Sequence, residues 1–301
     1  MIKELSSLKI LLIGDFMLDH YYFGSSNRLS PEAPIPVVLF EEEKFIPGGA
    51  GNVAINLKSL GVDVYCMGFI GEDTWGKKLI SIFSDKKINI EHLEVLANYQ
   101  TTVKQRIYCE NEQLSRLDLE KFQSNWVPNQ KIDYNKFDAI ILSDYNKGTF
   151  HNNWFEYKGK NIILDPKVLN ENILHYATIM TPNINELSIL TNTDIINEKS
   201  LITSSKKLMG KYNLEYLLVT KGDNGMALFS KNGDYNNISP YKVPNPDVTG
   251  AGDTVIATFT AIYAKTNNAF LAANVANKAA SLVVGKKGTA NIEIKDIAVD
   301  F

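Results

Sequence analysis

The sequence predicts a doubly wound, mostly parallel α/β sheet flanked by helices, with a small β-sheet protruding from it. Three observations carry this. Apolar runs without polar alternation, such as Lys9-Ile10-Leu11-Leu12-Ile13-Gly14-Asp15, recur and stop at a loop residue, as buried parallel strands do. Amphipathic helical stretches separate those runs over most of the chain. Two segments, approximately 16–47 and 100–119, break the rhythm and read as extended chain outside the main layer.

After the strand at 9–15, residues 16–47 lack helical period and carry Pro31, Pro34, Pro36 and Pro47. Within them Ala33–Phe40 is expected as an edge strand, where proline is tolerated. Gly48–Gly51 lead into a helix with Val53, Ala54, Leu57 and Leu60 on one face and Gly61 as its stop. A strand over Val62–Ile70 and an amphipathic helix over Asp73–Lys86 follow. Residues 101–108 and 113–119 read as two strands around a turn at Glu110-Asn111-Glu112. Strands at Phe137–Ser143, Asn161–Asp165, Thr178–Thr181 and Glu215–Thr220, the last with a hairpin partner at Gly225–Ser230, then share the chain with helices near 183–192, 198–212, 250–265 and 268–284.

With 301 residues, 45% of them hydrophobic, the chain can bury one large core. No Pro-, Gly- or Ser-rich linker divides it, so one domain over 1–301 is expected, with the small sheet inserted as a lid. A net charge of -3 without a basic field excludes nucleic acid as a partner. Cys66 and Cys109 form no CxxC pair and read as plain thiols rather than metal ligands or a disulfide scaffold. The run Ile10–Ile13 is too short for a signal peptide, and no stretch approaches the ~20 apolar residues of a membrane span. A cytoplasmic location is the expectation.

In such sheets ligands sit beyond the C-terminal strand ends, which singles out Asp15, Asp144 and Asp165. The strongest local signal is Asp247-Val248-Thr249-Gly250-Ala251-Gly252-Asp253-Thr254, directly before a helix. Gly250 and Gly252 leave the backbone amides around Ala251 uncovered at a positive helix end, which stabilises an anion. Asp253 lies in that first turn, placed to orient and deprotonate an attacking hydroxyl while the amides hold a migrating phosphoryl group. The plainer alternative is a tight turn followed by a dipole-favoured acid. There is no GxxxxGK[ST] loop and no GxGxxG after the first strand, so a dinucleotide-binding oxidoreductase is disfavoured.

Asp-Val-Thr-Gly-Ala-Gly-Asp-Thr resembles the C-terminal signature of the ribokinase, or phosphofructokinase-B, superfamily. Pro47-Gly48-Gly49-Ala50-Gly51-Asn52-Val53-Ala54 resembles its N-terminal signature, about 200 residues earlier and in the required order. Gly14-Asp15-Phe16-Met17-Leu18-Asp19-His20-Tyr21, Arg28-Leu29-Ser30-Pro31-Glu32-Ala33-Pro34-Ile35-Pro36-Val37-Val38, Gln113–Asp118, Leu142–Gly148, Asp165-Pro166-Lys167, Thr181–Glu186 and Val283–Thr289 are similar to the bacterial heptose 7-phosphate kinases. The likeness runs from about residue 8 to residue 292. It implies ATP- and Mg²⁺-dependent transfer of the γ-phosphate to the anomeric hydroxyl of D-glycero-β-D-manno-heptose 7-phosphate. The product would be the 1,7-bisphosphate, a precursor towards ADP-heptose and lipopolysaccharide.

The resemblance also implies roles. Asp15 and Asp19 would bind sugar hydroxyls, the alternative being a loop with an Asx turn. Gly48, Gly49 and Asn52 would let the sugar approach the backbone, with a helix cap as the other reading of Asn52. Asp144 belongs to the same substrate set. A phosphorylated sugar needs a cation, for which Lys104, Arg106, Arg116 and Lys147 are candidates; each alone could be a surface charge. Asn183 and Glu186 match the family's NxxE motif for Mg²⁺ and the ATP phosphates, Glu186 acting through water; a capping pair is compatible with this. Thr220, Lys221, Gly222 and Asn277 would reach the nucleotide, although the glycine could be a turn residue and Asn277 an ordinary helix polar group. Lys167 and residues 286–289 are further phosphate and base-loop candidates. The apolar β-layer (Tyr21, Tyr22, Phe23, Ile35, Val37, Val38, Phe40) either packs on its own domain or clasps a second copy as a homodimer.

Two departures stand out. Many relatives carry a fused nucleotidyltransferase domain, whereas here His20, His92, His151 and His175 form no HxGH motif, so kinase activity alone is expected. Gly51 stands where alanine is usual, which is expected to loosen the helix start by about 0.5–1 kcal/mol.

Overall fold

The computed structural model describes residues 5–110, 112–123, 125–166, 171–244, 246–286 and 291–297. Lys167, part of the 286–289 loop and Asn111 at the expected turn therefore lie outside the described residues. In chain order the elements are β1 (Lys9–Gly14), β2 (Phe16–Ser25), β3 (Leu39–Gly49), α1 (Ala50–Ser59), β4 (Asp63–Gly71), α2 (Thr74–Asp85), β5 (Asn89–Leu96), β6 (Thr102–Cys109), β7 (Glu112–Leu119) and β8 (Ala139–Asp144). There follow β9 (Ile162–Pro166), α3 (Glu171–Leu174), β10 (Ile179–Met180), α4 (Ile184–Thr191), α5 (Glu198–Tyr212), β11 (Tyr216–Thr220), β12 (Met226–Ser230), β13 (Tyr235–Ile238), α6 (Ala251–Thr266), α7 (Ala269–Val284) and α8 (Ile294–Ile297).

The large sheet has the order β13-β12-β11-β10-β9-β8-β1-β4-β5. It is parallel from β5 to β11 and closes with two antiparallel strands. Its central strands are apolar throughout because both faces are covered. Ile10 and Leu12 of β1 pack into a core that holds Val53 and Leu57 of α1 and Ile256 and Phe259 of α6. Leu11 and Ile13 point the other way, into a core with Leu142, Leu187 and Leu208. The chain builds β4 and β5 on one side of β1 and β8 onwards on the other, so the strand order reverses at β1/β8. The crevice there, at the carboxyl ends, is where such sheets bind ligands.

The small sheet has the order β3-β2-β6-β7. Asp15 alone separates β1 from β2, so the small sheet grows directly out of the centre of the large one. Its base is anchored: Phe16 meets Phe83 of α2 edge to face at 6.0 Å. His20, fully buried, stacks on Phe45 at 4.2 Å and bonds Glu43 at 2.8 Å. Its outer part leaves Leu29, Ile35, Leu39, Phe40, Leu114 and Leu117 exposed. The small sheet thus packs partly on its own chain.

The edge strand expected at Ala33–Phe40 is displaced. Only an isolated bridge joins Leu29 to Pro36, and the strand proper is Leu39–Gly49. Its fully polar stretch Glu41-Glu42-Glu43-Lys44 hides it from a hydrophobic reading, since both faces there are wet. Two strands went unforeseen: β5, whose alternation is broken by a register shift opposite Tyr65/Met67, and the four-residue β13. Helix ends agree better where they carry a readable stop or cap: Asp73 caps α2 by accepting from the Gly76 N–H at 2.7 Å, and Gly61 follows α1 at φ +90°.

Candidate active site

Gly250, in the left-handed region at φ +76°, starts α6, and no side chain caps that helix. Asp253 is its third residue and is 7% exposed. Its Oδ2 accepts from Asn52 Nδ2 at 2.8 Å, and its Oδ1 from the Tyr145 hydroxyl at 2.6 Å. Asn52 is not a helix cap: the cap is Gly49, and Asn52 is the third residue of α1. Asn56, one turn on, donates to the Asn52 carbonyl oxygen at 3.0 Å and to its Oδ1 at 3.3 Å, while accepting from Thr254 Oγ1 at 3.3 Å. The two signature segments are thereby stitched together through buried side chains.

Gly49 permits that junction. It sits at φ +55°, ψ -132°, and a Cβ there would lie 2.7 Å from the Asp15 carbonyl oxygen and from Met17 Cε. A Cβ on Gly48 would lie 2.7 Å from Asp19 Oδ2. Gly51 packs so closely that a Cβ would stand 2.9 Å from Pro47 Cβ. Glycine here accommodates Pro47, so the expected loosening is offset by a steric requirement.

Asp15, 3% exposed, has its oxygens engaged by the loop after β8. Oδ2 accepts from the N–H groups of Tyr145 (2.7 Å) and Lys147 (3.0 Å), and Oδ1 from that of Thr149 (3.2 Å). This is neither an Asx turn nor a carboxylate held open for a ligand: it pins the loop that delivers Tyr145. Asp144 accepts from the Asn146 N–H at 2.8 Å and shapes the same loop. Asp165 closes β9, buried. Burial first, then the charges of Asp253 and Asp165, the bond to Asp253 and the charge of Glu186, hold the Tyr145 phenol well above its ordinary pKa, so it stays protonated.

On the small sheet, Asp19 of β2 faces Lys104 of β6, and Tyr21 faces Arg106. Arg106 Nη1 donates to Asp19 Oδ1 at 2.6 Å, and its guanidinium lies 5.2 Å from the Tyr21 ring centre. Lys104 Nζ lies 6.0 Å from the Tyr145 ring centre and forms no ion pair among the described residues. Lys147 pairs with Glu120 at 2.8 Å, and the half-exposed Arg116 pairs with its strand neighbour Asp118 at 2.8 Å. Of the four candidate cations, Arg106 thus contacts Asp19 and Lys104 lies over the Tyr145 ring, while Lys147 and Arg116 are paired with carboxylates.

Beyond Gly252 opens a cleft of about 760 Å³, its mouth included, lined by Thr220, Gly222, Met226, Val243, Val255, Asn277, Ala280 and Val284 among others. Apolar walls with a few polar groups suit a planar heterocycle. Asn277, buried on α7, donates to the Ser239 carbonyl oxygen at 2.8 Å and fastens the cleft's wall. Lys221 turns away from this cleft. Its ammonium bonds Asn237 in a separate hollow with Ile184, Glu198 and Tyr235, where burial pulls its pKa down against the opposing charge of Glu198. Asn183 and Glu186 form a reciprocal capping box on α4: the Asn183 N–H donates to Glu186 Oε2 at 2.7 Å, and the Glu186 N–H to Asn183 Oδ1 at 2.9 Å. The functional residue sequence reasoning missed is Tyr145. It lies within the Leu142–Gly148 stretch, but nothing in the residue order says that its hydroxyl meets Asp253, 108 positions away.

An uncapped helix start, a buried carboxylate beside it and an apolar cleft beyond it are the parts of a phosphotransferase for alcohol acceptors. The chain matches the description "pfkB family carbohydrate kinase" over residues 7–296, and it belongs to that family. It is similar to "Bifunctional protein HldE" of Coxiella burnetii strain Dugway, 36% identical over 299 residues that cover 96% of this chain and 62% of the relative. The namesake protein of Aliarcobacter butzleri is 37% identical over 302 residues, covering 96% and 63%. The chain thus spans somewhat under two thirds of the length of the curated relatives it matches. Among solved structures, Arabidopsis thaliana ribokinase complexed with ribose and ATP superposes with a TM-score of 0.78 at 21% identity, covering 96% of this chain and 97% of that one. A ribokinase of Thermotoga maritima gives 0.74 at 19% identity, covering 96% and 98%. These structures show the shared ribokinase-like fold.

Proposed function

We propose that this carbohydrate kinase transfers the γ-phosphate of ATP to the anomeric hydroxyl of a heptose 7-phosphate, D-glycero-β-D-manno-heptose 7-phosphate, yielding the 1,7-bisphosphate for ADP-heptose and lipopolysaccharide synthesis. The observation that carries the reading is Asp253, buried at an uncapped helix start and gripped by Asn52 of the other signature segment and by the Tyr145 hydroxyl. In the reaction the acceptor O–H bond breaks and its proton passes to the Asp253 carboxylate. A new O–P bond forms to the γ-phosphorus, and the bond to the β,γ-bridging oxygen breaks with its electron pair leaving on ADP. The amides at Gly250–Asp253 steady the charge on the migrating group. The adenine lies in the apolar cleft beside Gly222 and Asn277.

Mg²⁺ would neutralise charge on the β- and γ-phosphates. Among the described residues no three of His, Cys, Asp and Glu converge to cage an ion. Phosphates and water would supply most of such an ion's ligands, so a protein cage is not required. Glu186, held by its capping box, would hold the ion through water.

Asp19, Gly48 and Asn52 contact the sugar, and Lys104 and Arg106 receive its 7-phosphate. Asp15, Asp144 and Lys147 support that site by fixing the 145–149 loop. A second acceptor class, free sugars or nucleosides, is separated by assay. The heptose 7-phosphate is expected to be turned over with kcat/KM at least about a hundredfold above ribose or fructose, the worth of a paired phosphate. Equal turnover of the unphosphorylated sugars refutes the substrate assignment.

The exposed Leu29, Ile35, Leu39, Phe40, Leu114 and Leu117 support a homodimer clasped through the small sheet, which then works as a lid. Light scattering is expected to give twice the chain mass, falling to one when Phe40 and Leu117 are both changed to Ser; a monomeric unmodified protein contradicts the clasp. Among the described residues no helix is long and apolar enough to cross a membrane. A cytoplasmic site of action follows from the use of ATP.

A further inference from the structure

The base is already engaged. Asp253 Oδ1, on the side away from Asn52, accepts a hydrogen bond of 2.6 Å from an O–H group, the kind of donor an acceptor alcohol offers. That O–H belongs to Tyr145, whose ring reaches from Asp253 towards Lys104 on the small sheet. The ring therefore spans the distance between base and cation that a bound sugar phosphate must also span. Asn52 cannot yield, because it is buried in α1 and tied to Asn56. Tyr145 differs: it is half-buried on a loop outside the regular elements, and that loop is held to Asp15 through backbone N–H groups, so its fastening does not depend on the phenol.

We infer that the Tyr145 hydroxyl is a displaceable placeholder for the acceptor hydroxyl, occupying Asp253 Oδ1 and keeping water from being activated there until the sugar enters. The inference rests on the kinase reading above and names a positioning residue for that same site. Without the phenol oxygen, water can donate to Oδ1 beside the anion-binding amides. It would then lose its proton to Asp253 and form the new O–P bond while the β,γ-bridging oxygen leaves on ADP, so that ATP is spent on inorganic phosphate.

Tyr145→Phe keeps the ring and removes the oxygen. With Mg²⁺-ATP and no sugar, the ratio of phosphate release to the sugar-dependent transfer rate is expected to rise about tenfold or more, as for loss of one competing charged hydrogen bond. In the same variant the KM for the accepted sugar is expected to fall, since nothing need be displaced. Asp15→Asn, which loosens the loop without touching the hydroxyl, is expected to raise the ratio in the same direction. A Tyr145→Phe enzyme whose kcat falls while the ratio and KM stay put would show a permanent clamp and overturn the inference, as would no change in any of the three. The sugar-free arm needs no acceptor identity: should the heptose phosphate prove the wrong substrate, phosphate release with ATP alone still decides whether Tyr145 guards the base.

Discussion

Asp253→Asn is expected to fold, to bind ATP nearly as before, and to lose about 10²–10⁴ in kcat, roughly 3–5 kcal/mol of barrier. The substitution isolates the chemistry because its surroundings tolerate an amide. Asn52 Nδ2 can go on donating to the remaining oxygen. The Tyr145 hydroxyl, bonded to Oδ1 in the parent, can rotate to accept from the new NH₂. What is lost is the place for the proton. Stopped-flow transfer measured beside calorimetric ATP binding separates the two effects, and a variant that keeps most of its turnover refutes the assignment of the base.

Arg106→Ala is expected to raise the sugar phosphate KM at least tenfold and to cost about 2–3 kcal/mol of stability. Side chains of Arg106 and Asp19 are only 13% and 11% exposed, so removing the guanidinium leaves a carboxylate desolvated and unpaired. The cost is set below that of a fully enclosed pair because part of each group still meets water. Arg106→Lys distinguishes two tasks. If the residue only fastens Asp19, lysine restores KM; if its planar fork also grips a phosphate, stability returns and KM does not. Thermal unfolding and steady-state kinetics read both, and an Arg106→Ala enzyme with unchanged KM contradicts the assignment of this cation.

The layered fold was legible because its signals are local. The uninterrupted apolar run of β1 requires cover on both faces, and the caps at Asp73, Asn183 and Asn268 announce helices within three residues. The small sheet's position was legible and its register was not. Glu41–Lys44 carry no apolar alternation, and their pairing is imposed by β2 across the gap. In the site, Asp253 and Asn52 could be found from the two glycine-rich segments, but their direct contact depends on how α1 and α6 cross. Asp15 and Lys221 show the converse. Both stand where ligand residues are expected, yet one is engaged by loop amides and the other turns to Asn237, outcomes fixed by neighbours more than 10 residues distant in sequence. Tyr145 was hidden for the same reason.

A crystal structure of the protein with ADP and the heptose 7-phosphate tests the central claim most directly. The expected result places the terminal phosphate against the amides of Gly250–Asp253, the base in the cleft beside Asn277, and the anomeric hydroxyl within about 2.6–3.2 Å of Asp253 with the Tyr145 oxygen swung aside. A nucleotide seated elsewhere, for instance in the hollow beside Lys221, with Asp253 out of reach of any sugar hydroxyl, would contradict it.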